Sequence, residues 1–131
     1  MNYLTVERVI ELNCLALSLI PAKKADSAKV LSAMKIHQVL DACEQDEGDV
    51  FNKAAVVLEG LIKAHAFASG NRRTAFLAMK EFLKINNKTT KVNGVPDQAV
   101  VLQGIREGYY QHEEIREWIK NGTIRPFKRK A

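Results

Sequence analysis

The stretch from His65 to Phe76 reads HAFASGNRRTAF, and it runs on as LAMKEFLKIN to residue 86. Two helical patterns meet in it. Upstream, VFNKAAVVLEGLIKAHAF repeats apolar residues at Phe51, Ala55, Leu58 and Ile62, and His65 continues that inner face. Downstream, Phe76, Met79 and Leu83 share one side of a helix, while Ala75, Ala78 and Phe82 line the adjoining side. A helix apolar around so much of its circumference is expected to be the central one. The segment ASGN is the break between them, so the stretch reads as helix, tight loop, helix.

The same periodicity extends in both directions. Near the start, Thr5 is a plausible N-cap, followed by Val6, Val9, Leu12 and Ala16 at helical spacing, and Pro21 ends that helix. After the polar segment PAKKADSAK, apolar residues recur at Val30, Met34 and then Val39 or Leu40. Asp49 is placed to cap the helix that leads to His65. The acidic run EQDEGD before it lacks the alternating ligands and terminal glutamate of a calcium loop, and reads as a solvated connection. Past residue 86, NNKTTKVNG is a turn with room for one short extended piece. Asp97 caps QAVVLQGIREG, and HEEIREWIKNG closes with Gly122 as a C-cap and Trp118 facing inward. The expectation is an all-α fold, a compact bundle of about five to six helices.

Length and composition agree with one domain over residues 1–131, with 123–131 as a basic C-terminal tail. The chain has 131 residues, enough for a core that needs no disulfide. Hydrophobic residues make up 47% of it, which excludes a disordered chain. No apolar run is long enough to span a membrane, and MNYLTVERVIEL does not read as a signal peptide. The expected location is cytoplasmic, with Cys14 and Cys43 both buried as free thiols. A net charge of +5, much of it in IRPFKRKA, invites a nucleic-acid reading. A solvated surface with a frayed basic end accounts for the same charge, and direct nucleic-acid binding is not expected.

The chemistry concentrates at the loop. A helix N-terminus presents N–H groups without intrahelical partners and a partial positive charge, so it attracts phosphate. Gly70 lets the backbone turn tightly and approach a ligand. Asn71 can cap the helix, hydrogen-bond a substrate or hold the loop. Arg72 and Arg73 lie in the first turn, where the helix dipole disfavours cations, and a bound polyphosphate is a good reason for them. His65 at the mouth can take a proton from a hydroxyl nucleophile. Alone it would read as a core histidine on an apolar face. With Gly70, Asn71 and Arg73 at these spacings it reads as part of a site. Phe67 is the hydrophobic plug that folds the loop onto the core. His37 and His112 have no such company.

HAFASGNRRTAF resembles the signature of the Fic/Doc superfamily, H-x-F-x-(acid)-(G/A)-N-(G/K)-R in words. Chain length, Glu7 and Val9 in the first helix, and KEFLKINN after the motif resemble the short Doc (death-on-curing) branch. The resemblance implies a catalytic base at His65, a packing residue at Phe67, an anion-binding turn at Gly70 and Asn71, and a phosphate-gripping arginine at Arg73. Arg72 stands where Doc-type toxins carry lysine and the larger AMP-transferring members glycine. Phe76 stands where the latter carry a further arginine. By resemblance the activity is phosphoryl transfer from ATP or another NTP to a hydroxyl of a protein, a translation elongation factor, and the partner is a cognate antitoxin.

Two departures stand out. Ser69 occupies the place of the family's magnesium-holding acid, so Mg2+ binding is expected to be weakened. Asn13 stands where many Doc relatives have histidine, and PAKKADSAK replaces the usual glycine-rich segment. Two alternatives to the phosphotransferase follow. One is a degenerate phosphate- or nucleotide-binding module without transfer; the other is a nucleotidyl (AMP) transferase.

Overall fold

The computed structural model describes residues 1–18, 28–92 and 97–128, the last span without the Asp97 side chain. The fold is all-α. Among the described residues there are six helices: α1 (Val6–Ser18), α2 (Ala33–Gln45), α3 (Val50–Ala64), α4 (Asn71–Ile85), α5 (Asp97–Arg106) and α6 (His112–Asn121). The expected stop at Pro21 and the cap by Asp97 lie outside the described residues.

The caps explain where several helices begin and end. The Thr5 hydroxyl accepts from the Arg8 N–H at 3.1 Å, and the Asp49 carboxylate accepts from the Asn52 N–H at 2.9 Å. Gly122 ends α6 in the left-handed region at φ 79°, donating to the Trp118 carbonyl. A side chain there would also meet the Lys91 carbonyl oxygen at 2.9 Å, so glycine is required twice over.

Helix α3 packs against α2, α4, α5 and α6, while α4 packs against α1, α3 and α5. The central place therefore falls to α3 rather than to α4 alone. Both carry fully buried alanines, Ala54 and Ala55 on α3 and Ala75 and Ala78 on α4, and Leu58, Met79 and Phe82 are fully buried in the same core. Arg8 on α1 ties that helix to α4 through a two-point contact with Glu81, at 2.6 and 2.7 Å. The guanidinium holds the Glu81 carboxyl below its ordinary range.

The sequence did not announce the role of Lys53. It is buried, and its ammonium donates to the carbonyls of Cys43 at 2.9 Å, Glu44 at 3.1 Å and Asp46. It thereby closes the C-terminus of α2, where the helix dipole favours a cation. Asp46 accepts from the Gly48 N–H and the Asn52 amide, which makes the acidic run a built turn.

Three expectations about burial are corrected. Met34 is 64% exposed, because the inner face of α2 is Ile36, Val39 and Cys43. Val30 precedes the helix in extended backbone. Cys14 is exposed, and only Cys43 is buried; both are free thiols. Burial pushes the Cys43 thiol up to about 11. Iodoacetamide at neutral pH is therefore expected to label native protein at Cys14 only, and both cysteines after unfolding in urea. Mass spectrometry showing fast native labelling of Cys43 would contradict this packing.

The described part of the tail is not frayed. Arg125 pairs with Glu114 at 2.5 Å, donates to the Tyr109 carbonyl at 2.7 Å and lies 4.1 Å from the Tyr109 ring centre. Phe127 packs edge-on to Tyr109. The expected extended piece after residue 86 forms no strand among the described residues; Lys91 donates to the Ile119 carbonyl instead, tying the segment to α6.

Candidate active site

The loop between α3 and α4 is held from three directions. Its residues Ala66–Ala68 lie beside the segment that precedes α2. Leu31 donates to the Ala66 carbonyl at 2.7 Å, Ala68 donates to the Lys29 carbonyl at 2.9 Å, and Val30 and Phe67 form an antiparallel bridge. On its other edge the Asn71 side chain imitates a second strand. Its Oδ1 accepts from the Phe67 N–H at 3.0 Å and its Nδ2 donates to the Phe67 carbonyl at 2.8 Å. From below, Asn13 on α1 donates to the Ser69 carbonyl at 2.9 Å and to the Thr74 hydroxyl at 3.0 Å. Asn13 and Thr74 are fully buried.

These bonds settle what each residue does locally. Phe67 is 2% exposed and anchors the loop in the core, as expected of the plug. Of the three roles open to Asn71, its side chain takes that of holding the loop. The N-cap is Gly70, at φ 76°. The positive φ favours glycine at the turn, and a methyl group there would also press on a Leu17 methyl at 3.1 Å. The N–H groups of Asn71, Arg72 and Arg73 have no acceptor within α4, whose ladder begins with Thr74 donating to Gly70.

His65 is not on the inner face of α3. The helix ends one residue earlier, and His65 is its C-cap in the left-handed region, at φ 49° and ψ 50°. That turn swings the imidazole out of the apolar stripe and leaves it exposed. Its Nδ1 stands 3.4 Å from the Asn71 Nδ2, a long contact that favours the tautomer with the lone pair on Nδ1.

His65, Ser69, Gly70, Asn71, Arg72 and Arg73 all line one cleft of about 1000 Å³. Its other walls come from α5 and the C-terminal segment, through residues such as Leu102, Arg106 and Phe127. Sequence reasoning did not find Arg106. It lies three residues after Gln103 and seven after Ala99, a helical spacing that puts all three on one face of α5. Only the packing of that face against the loop gives the spacing meaning.

The arginines divide by location. Arg8, Arg116 and Arg125 each pair with a carboxylate. Arg72, Arg73 and Arg106 have no ion-pair partner among the described residues, and all three line the cleft. None of the described residues that line it is a carboxylate.

That donor set does not fit a protein-held magnesium ion. Magnesium is bound by hard oxygens, usually including at least one carboxylate. Here Ser69 offers a neutral hydroxyl, and its carbonyl is engaged by Asn13. Among the described residues no group of three histidines, cysteines or acids could hold a metal.

The Fic/DOC family model matches residues 3–83, well over half of the chain. The chain belongs to the Fic/DOC family. The match covers α1 to α3 and nearly all of α4, and so includes the whole loop; Arg106 lies beyond it. The family's general activity is nucleotidyl or phosphoryl transfer. A search of curated proteins finds no match to this Fic/DOC chain. Among its described residues, no helix is long and apolar enough to cross a membrane.

Proposed function

We propose that this protein binds a nucleoside triphosphate in the cleft and transfers its terminal phosphoryl group to a hydroxyl of a protein. The observation that carries the reading is one juxtaposition. An exposed imidazole, a helix N-terminus and three arginines without acidic partners share a single cleft. The Asn71, Arg72 and Arg73 N–H groups and the arginine side chains suit the phosphates. His65 accepts the hydroxyl proton as the oxygen attacks the γ-phosphorus. The bond from that phosphorus to the bridging oxygen breaks, and the nucleoside diphosphate leaves with the electron pair. Proton transfer uses Nδ1 once the long Asn71 contact opens, or Nε2 after tautomer exchange. Arg72 and Phe76, at the positions that separate the branches, favour a Doc-like toxin that acts on a translation factor and is silenced by a cognate antitoxin.

Ser69 at the acid position, with no carboxylate among the described residues lining the cleft, favours a second reading, a binding module that has lost transfer. Nucleotide labelled separately on its α- and γ-phosphorus, incubated with purified protein and cell extract, distinguishes the outcomes. Label passing to protein from the γ-position alone supports phosphoryl transfer, and label from the α-position means nucleotidyl transfer. Nucleotide binding with no label on any protein, even when magnesium is raised or Ser69 is changed to Asp, leaves the binding module.

A further inference from the structure

The charges of the described residues around this cleft are unusual for a triphosphate site, since cations line it and no described acid does. A metal ion at such sites neutralises phosphate charge and is itself held by carboxylates. Here the cationic charge comes from the chain. Arg72 and Arg73 project from the first turn of α4, and Arg106 enters from α5 on another wall. The described arginines outside the cleft each have a carboxylate partner, so the absence of one at these three is particular to this surface. Arg106 is exposed, and among the described residues its guanidinium makes no hydrogen bond or ion pair, so it can reach a ligand without breaking one of these.

We propose that Arg106 is a third polyphosphate-binding arginine, and that the cleft takes free triphosphate by arginine charge rather than through a protein-held divalent cation. The inference rests on the phosphate-site reading above and extends it to a residue outside the family match. Two consequences follow. A guanidinium from a separate wall adds contacts that a single phosphate cannot use, so discrimination grows with phosphate number. Magnesium bound to the triphosphate cancels the charge that the arginines meet, and no carboxylate among the described lining residues receives the ion to offset that loss.

Titration calorimetry of the full chain with a non-hydrolysable adenosine triphosphate analogue and with AMP, each in EDTA and in excess magnesium, tests this. The wild type is expected to bind the triphosphate at least as tightly in EDTA as in magnesium. Arg106→Gln is expected to weaken triphosphate binding about tenfold and AMP binding by less than about twofold, with Arg106→Lys recovering part of the difference. A merely structural role for Arg106 would lower both affinities together. Equal triphosphate binding by Arg106→Gln and wild type overturns the assignment, as does a wild-type affinity that rises with magnesium. Absence of binding by the wild type under every condition overturns the phosphate-site reading as well, which separates the two failures.

Discussion

The His65→Gly variant is expected to be more stable than the wild type and to have lost transfer. The two effects come from different parts of one residue. The His65 backbone sits in the left-handed region at φ 49°, which an L side chain occupies at a cost and glycine does not. Its side chain is exposed, and its one polar contact among the described residues is 3.4 Å to Asn71. Little packing is lost with it, so denaturant unfolding should show a gain of about 1 kcal/mol. The transfer rate should fall by about 100-fold or more, the usual contribution of a positioned general base. Triphosphate affinity should stay near that of the wild type. Unchanged transfer would remove His65 from the reaction. A loss of stability would mean that the imidazole contributes more than the backbone geometry costs.

Asn13→Leu is the second large effect, and it acts on the loop from beneath. Asn13 is 1% exposed and supplies the donors for the Ser69 carbonyl and the Thr74 hydroxyl. Leucine keeps the branching at Cγ but is bulkier, and it has neither donor. Two buried acceptors would lose their partner, which costs about 2 kcal/mol. The urea midpoint should fall by roughly 1 M, with little change in slope. Transfer and triphosphate binding should fall too, since Ser69 is the residue that leads into the Gly70 turn. An unchanged midpoint would show that water or a neighbouring group replaces the amide. Asn13→Asp is a useful companion, because a carboxylate facing the Ser69 carbonyl oxygen is worse than no donor at all.

The residues differ in how far their roles could be read from the sequence. Thr5, Asp49 and Gly122 act within four residues of themselves, and their capping roles follow from local rules. The apolar stripe of α4 was legible for the same reason. His65 was placed on the wrong face because the helix stops at Ala64, and a left-handed C-cap breaks the periodicity that the spacing suggests. Met34 was misplaced by a similar error at the start of α2, which begins only at Ala33. Lys53, Asn13 and Arg106 were opaque for another reason. Each acts on a part of the chain distant in sequence or on the far wall of a cleft, and no local pattern encodes that meeting. The candidate site itself was legible as a motif in residues 65–73. Its lack of acid is legible in the sequence only at Ser69, whereas none of the described residues lining the cleft is an acid.

The seams that hold the loop also set the order of events on a newly made chain. The Asn13 bonds join residues separated by 56 and 61 positions, and the bridge to Phe67 starts from Val30. Such contacts close late, because the intervening chain must be ordered first. The Ser69 and Thr74 side of the loop is therefore expected to reach its final geometry only after α1 has docked on α4. A nascent or half-folded chain has the motif without its geometry. On the proposed function, transfer then waits until folding is complete and needs no separate switch.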